Sequence, residues 1–342
     1  MAHTKRMRTL AVGIAAALTT VALGLVPSAV AGGQITGAGS PLVAPLEAKW
    51  ATAFQSSTGI SVVYGAVGSG TGISEITART VNFGASDAPL TSAQATACGS
   101  CIQIPWALTA TGIAFHVNGV SKLRLTPTLL AEIWLGQITN WDSPAIAKVN
   151  PGVKLPNLAI TPVYRTDGSG DTYAFTNLLS DISPTWASKV GNATTVSFPV
   201  GVGGKGNAGV SGVVGSTNGS IAYIAASYIL AHGFQVAALQ NNAGNYEYPN
   251  IPNISAAAAA FKTVPSTGIH IVDPPKSAKL AYPLSTYTYV IVPKSSPTAA
   301  ALQKFIAYAI GGGQSFAGPL DFAPLPKPVL TADDKSIREI GS

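Results

Sequence analysis

The chain has 342 residues and a formal charge of +6, yet only 10% of its residues are charged, against roughly 25% in ordinary soluble domains. Beyond residue 8 lysine and arginine occur singly, which excludes the clustered basic stripe of a nucleic-acid groove. Gly, Ala, Ser, Thr, Asn and Pro take the place of the missing charges, so turns and small-side-chain surfaces are expected throughout.

Lys5, Arg6 and Arg8 precede an almost uncharged run from Leu10 to Val26, followed by Pro27 and Ala29-Val30-Ala31. Basic, apolar and small residues in that order predict a secretory signal peptide over 1–31, cut after Ala31. The alternative is a retained membrane anchor, but Gly24 and Pro27 interrupt a stretch that would need about 20 apolar residues. Removing the peptide lowers the formal charge to +3 and leaves about 310 residues, enough for two domains with substantial cores. A periplasmic or extracellular protein is expected.

In the mature chain, 35–40 reads as a strand running into a glycine-rich turn. Leu46, Trp50 and Phe54, at spacing four, mark an amphipathic helix over 45–58 that Gly59 stops. A strand over 60–64, a Gly68–Gly72 loop, a short helix with Ile73 and Ile76, and a strand over 81–85 follow. Strands at 102–107 and 110–117 come next, then a helix over 127–135, a strand over 158–164 and a helix over 172–179. Apolar segments at 210–214 and 221–224 flank a glycine-rich turn, and 256–261 is weakly patterned helix. Residues 284–292 are rich in β-formers and are expected to return to the first unit, ahead of a helix over 299–310. Strand, loop, helix and strand in this rhythm predict an α/β fold with mixed, mainly parallel sheets. The expected division is a first lobe of 32–115 and 281–342 enclosing a second lobe of 116–280, with a hinged cleft between them.

Cys98 and Cys101 enclose two residues. A thioredoxin-like redox pair would start a helix after a strand, whereas this pair lies ahead of a strand. A local structural disulfide is the expected state in an exported chain, with modest stabilisation from so short a loop.

The sharpest polar signal is Arg165-Thr166-Asp167-Gly168-Ser169-Gly170-Asp171, between a strand and a helix. A helix start offers unpaired N–H groups and the positive end of its dipole. Ser169 adds a hydroxyl, Gly170 a close backbone donor and Arg165 a bidentate fork for an oxyanion. The plain alternative is a helix cap in which Ser169 or Asp171 serves only its own backbone. Gly68-Ser69-Gly70-Thr71-Gly72 and Gly37-Ala38-Gly39-Ser40 have similar chemistry, and neither carries the Gly-Lys-Ser/Thr ending of a nucleotide loop. Asp87 is either a turn cap or an acceptor facing the ligand. An ionised carboxylate only accepts hydrogen bonds, so beside an anion it favours one that carries a proton. Phosphate does near neutral pH, and sulfate does not.

Phe83-Gly84-Ala85-Ser86-Asp87-Ala88-Pro89-Leu90, Arg165-x-Asp167-Gly168-Ser169-Gly170, Ile35–Ser40, Ala48-Lys49-Trp50, Ile138–Asp142 and Gly203–Asn207 together resemble the periplasmic phosphate-binding protein family of ABC-type phosphate uptake. That resemblance implies a two-lobe fold that hands phosphate, or a closely related oxyanion, to a membrane permease. It implies no cofactor, no metal and no catalysis, and nothing demands more than a monomer. It places ligands at Ser40, Leu42, Ser69, Asp87, Arg165, Ser169, Gly170 and Asp171. Pro41-Leu42 stands where the family often has Thr-Phe, and Pro41 lacks a backbone donor, so Ser40 is expected to substitute. Asp171 replaces a family Thr and is expected either to turn away as a cap or to receive a ligand proton. The competing functions are a surface adhesion or sensing module with altered or weak anion binding, and a phosphate-ester hydrolase. The hydrolase lacks a recognisable nucleophile or metal cluster in the sequence.

Overall fold

A computed structural model of the protein describes Met1 and residues 33–99, 101–265 and 268–341. The expected signal peptide therefore lies, apart from Met1, outside the described residues. In chain order come β1 (Gln34–Gly39), α1 (Ala44–Thr58), β2 (Ser61–Gly65), α2 (Ser69–Thr77), β3 (Phe83–Ser86), α3 (Ser92–Cys98) and β4 (Cys101–His116). The middle of the chain adds β5 (Arg124–Leu125), α4 (Pro127–Trp134), α5 (Pro144–Val149), β6 (Thr161–Arg165), α6 (Gly170–Ile182), α7 (Pro184–Lys189), β7 (Val202–Gly204), α8 (Gly206–Ser216), β8 (Ser220–Ala225) and α9 (Ala226–His232). Three short strands follow, β9 (Gln235–Val236), β10 (Ala238–Gln240) and β11 (Tyr246–Glu247), then α10 (Ile251–Ala259), β12 (Ser285–Pro293), α11 (Ala299–Ile310) and α12 (Lys327–Arg338).

The main sheet runs β2-β1-β3-β12-β4-β8-β6-β7, with β9 also on β4. Its two ends are parallel: β1 pairs with β2 and β3, and β6 with β7 and β8. Its centre is antiparallel, where β12 pairs with β3 and β4, and β4 with β8. The strand expected to return to the first unit does so, as β12, between β3 and β4.

The two strands expected at 102–107 and 110–117 are one strand of 16 residues, β4. Its first part pairs with β12 up to Ala110, and Thr111 to His116 pair with β8. A strand covered on both faces has no apolar–polar alternation to read. The polar interruption at Thr109 is absorbed by a hydrogen bond to Asp321 O at 3.2 Å. The expected glycine loop at 68–72 is mostly helix, because α2 already begins at Ser69. The apolar segment at 210–214 is the middle of α8.

Helix boundaries follow local chemistry. Pro residues sit in the first turns of α1 and α4, where a missing N–H costs nothing. Gly59 ends α1 at a φ of 74°. The buried stripe Leu46, Trp50 and Phe54 packs α1 against β4 and α11, with Trp50 5.2 Å from Trp106 and Phe54 5.3 Å from Phe305 between ring centroids. Trp50 Nε1 donates to Gly313 O at 2.9 Å, which satisfies its one polar atom in the core. Phe175 of α6 stacks on Tyr223 of β8 at 4.5 Å.

Candidate functional site

Ser40 follows β1, Ser69 opens α2, and Asp87 follows β3. Parallel strands deliver all three to the same end of the sheet. Ser40 Oγ donates to Asp87 Oδ2 at 2.5 Å, and Ser69 Oγ lies 3.4 Å from the same oxygen. Leu42 N donates to Ser40 Oγ at 3.0 Å. Leu42 thus contributes a backbone donor that braces Ser40, and its side chain is buried in the core.

From the other end of the sheet, β6 delivers Arg165, and the turn after it starts α6 at Gly170. Gly170 N donates to Ser69 Oγ at 3.2 Å, joining the two segments across 101 residues of chain. Gly70 N donates to Gly168 O at 3.0 Å. A Cβ at Gly170 would sit 2.3 Å from Asp87 Cβ, so only glycine permits this approach. Gly68, at a φ of 104°, faces Asp167 just as tightly.

Ser169 caps α6, its Oγ accepting from Thr172 N at 3.3 Å. Asp171 does not serve as a cap. Its Oδ2 accepts from Arg165 NH1 at 3.0 Å and its Oδ1 from Thr111 Oγ1 at 2.7 Å. Asp167 grips the opposite edge of the same guanidinium, with Arg165 Nε donating to Asp167 Oδ1 at 2.8 Å and NH2 to Asp167 Oδ2. Gly206 N adds a third donor to Asp167. Arg165 is thereby locked in aim by a carboxylate on each side, buried with its backbone N–H on Tyr223 OH.

Two carboxylates thus clasp one guanidinium, a third, Asp87, lies within reach of its charge, and their titration follows from burial and neighbours. Burial pushes Asp87 up to about 7, helped by the charge of Asp171 and opposed by Ser40, Arg165 and Ser69. Burial also raises Asp171, against the pull of Arg165 and the hydrogen bond from Thr111. Burial acts on Asp167 too, but its paired bonds to Arg165 outweigh it and hold the carboxyl below its ordinary value. Asp87, with no direct cation contact, is the member best placed to carry a proton. Its Oδ1 is buried and accepts no hydrogen bond among the described residues.

All eight residues singled out in the sequence fall in this neighbourhood. Ser69, Asp87 and Gly170 touch, while Arg165 and Asp171 join them through the α6 turn. Two open cavities lie elsewhere, about 800 Å³ beside Cys101 and Asp333 and about 530 Å³ beside His116 and Phe234. Thr111, Asp167, Asn207 and Tyr223 were not foreseen. Asp167 lay within the quoted motif and could have been read as the partner of Arg165. Thr111 sits mid-strand and gives no local signal. Asn207 Oδ1 accepts from Ala225 N, and its buried amide nitrogen makes no hydrogen bond among the described residues, though it lies near enough to Asp171 to favour the ionised form.

The PBP superfamily domain matches residues 26–312. The phosphate-binding protein PstS of Xylella fastidiosa (strain Temecula1) is 38% identical over 298 residues, covering 86% of this chain and 82% of that protein. The phosphate-binding protein PstS of Haemophilus influenzae is 36% identical over 316 residues, covering 90% and 93%. Among solved structures, the high-affinity periplasmic phosphate-binding protein PfluDING, bound with phosphate, superposes with a TM-score of 0.72 at 22% identity, over 89% of this chain and 93% of that one. A phosphate-binding protein from Stenotrophomonas maltophilia gives 0.67 at 20% identity, over 87% and 92%. At those identities the structural likeness speaks for the fold, and the sequence likeness to the PstS proteins speaks for descent; the chain belongs to the PBP superfamily, within the family of PstS phosphate-binding proteins.

Proposed function

We propose that the protein binds inorganic phosphate outside the cytoplasmic membrane and delivers it to an ABC-type permease, acting as a monomer and without catalysis. The single observation that carries the choice of ligand is Asp87 Oδ1, a buried acceptor left without a donor. A protonated oxyanion supplies that donor, whereas a fully deprotonated one would leave like charges opposed in a buried setting. Ser40 and Ser69 hydroxyls, the Gly170 N–H and the Arg165 guanidinium supply donors to the remaining oxygens. Ser69 and Ser40 now donate to Asp87, and both hydroxyls can rotate toward a ligand.

In this reading residues 32–115 and 281–342 form one lobe and 116–280 the other. The antiparallel centre of the sheet, where β4 changes partner at Thr111, is the hinge about which they separate. The contacts from Gly170 to Ser69 and from Gly70 to Gly168 are the ones that opening breaks. Few hydrogen bonds and small side chains at that seam keep the cost of opening low. The relatives' names support phosphate as the solute carried.

Calorimetry with phosphate, arsenate, sulfate and a phosphonate tests the proposal. Phosphate and arsenate are expected to bind and sulfate to fail. Binding of sulfate as tightly as phosphate would refute the role of Asp87, and binding of none would favour a sensing or adhesion module.

A further inference from the structure

Oxyanion binding makes no use of the Cys98–Cys101 disulfide, and its surroundings are not those of an inert staple. Arg79 directs its guanidinium at the two sulfurs, with NH1 3.4 Å from Cys98 Sγ and 3.2 Å from Cys101 Sγ. The same side chain donates to Ile76 O at 2.6 Å and to Cys98 O at 2.9 Å. Among the described residues it forms no ion pair with a carboxylate. Arg79 holds this position at a φ of 60°, a left-handed conformation that strains a non-glycine residue.

The two sulfurs differ in access. Cys98 is buried against Ile73, Ile76 and Ile291. Cys101 is half-buried and lines the cavity of about 800 Å³, together with Leu90, Ile102, Lys294, Lys335, Asp333 and Glu339. Among the described residues, an incoming thiolate therefore has a path to one sulfur only. Cys98 also ends α3, where the negative end of the helix dipole would oppose a thiolate. Arg79 counters this by covering both the Cys98 carbonyl and its sulfur.

We infer that Cys98 and Cys101 form a thiol–disulfide exchange site, opened at Cys101 by a dithiol reductant, with Arg79 as the positioning residue that stabilises the released thiolates. One thiolate of the reductant attacks Cys101 Sγ; a new S–S bond forms, the Cys98–Cys101 bond breaks, and Cys98 leaves as a thiolate beside Arg79. The second thiol of the reductant then attacks its own sulfur in the mixed disulfide and releases Cys101. The reductant gives up two electrons and two protons and becomes a disulfide, while the protein gains two thiols. A guanidinium beside a thiolate lowers its pKa and raises the reduction potential of the pair.

The test uses the full chain, reduced by dithiothreitol, with iodoacetamide alkylation followed against pH. A Cys101 thiol titrating clearly below the free value of about 8.5 is expected, and a value at or above it overturns the inference. Equilibration in dithiothreitol redox buffer should show Arg79→Met about tenfold harder to reduce, equivalent to about 30 mV, with Arg79→Lys restoring part of the difference. Equal reducibility of all three overturns the role of Arg79. Brief exposure to glutathione, read by mass spectrometry, should place the adduct on Cys101; an adduct on Cys98 overturns the order of attack. Should Arg79→Met fail to fold, the alkylation profile of Cys98→Ser still gives the Cys101 value and decides the matter.

Discussion

Replacing Asp171 with Thr probes the charge balance of the site more directly than any other change. Asp171 is fully buried and 3.0 Å from Arg165 NH1, so it consumes a donor that could face the ligand and adds a negative charge beside an anion. Two like charges about 6 Å apart repel by roughly 3 kcal/mol at an effective dielectric constant of about 20. The proximity of Arg165 offsets part of that, and a residue of about 1.4 kcal/mol is a factor of ten in affinity. Asp171→Thr should therefore bind phosphate about tenfold more tightly at pH 8. The gain should shrink at pH 6, where the ligand carries more protons and so less charge for Asp171 to repel. Titration calorimetry at both pH values reads the two affinities, with a thermal melt to verify the fold. Unchanged or weaker binding at both pH values, in a variant that melts normally, would refute the reasoning and leave Asp171 with only the task of aiming Arg165.

Asp87→Asn turns one acceptor into a donor, and competition between phosphate and sulfate should show the preference for phosphate falling by roughly ten- to a hundredfold. Gly170→Ala places a methyl group 2.3 Å from Asp87 Cβ; it should weaken phosphate binding at least about tenfold while circular dichroism stays native. Glu47, buried with Oε1 unpaired, is pushed up to about 8 by burial. The folded state thus holds this proton more tightly than the unfolded chain, so the associated stability is present below about pH 4.5 and lost as pH rises through about 8. Each tenfold difference in proton affinity is worth about 1.4 kcal/mol, and Glu47→Gln should flatten the fall of the melting temperature between about pH 4.5 and about pH 8. Asp333 and Asp87 are raised for the same reason, so some slope should persist; an unaltered slope would show that Glu47 is not buried as described.

Amphipathic helices were the most legible part of the fold. The stripes Leu46, Trp50, Phe54 and Leu302, Phe305, Ile306 betray one buried face each, and both helices form where the spacing places them. Legibility fails where burial is complete or where the stripe holds a polar residue. β4 is covered on both faces along most of its length, so it has no period to show. α12 buries Val329, Asp333 and Ile337 at spacing four, but an aspartate in the middle of the stripe, and prolines at 326 and 328, hide a helix from a search for apolar repeats.

The site divides along a similar line. Residues whose placement follows from their own turn were legible: small residues in glycine loops, an arginine leaving a strand, an aspartate after another. What could not be read is which partners they choose, because those choices span the chain. Asp171 was expected either to cap α6 or to receive a ligand proton, yet Ser169 takes the cap and leaves Asp171 to Arg165 and to Thr111, sixty residues earlier. That exchange decides the electrostatics. A capping aspartate would offset a helix dipole and leave the guanidinium free, whereas this one neutralises part of Arg165 and raises Asp87. In the proposed site, where Arg165 lies between Asp167 and Asp171 with Asp87 nearby, selectivity comes from protons carried by the ligand and by Asp87 together, and affinity is expected to depend on pH.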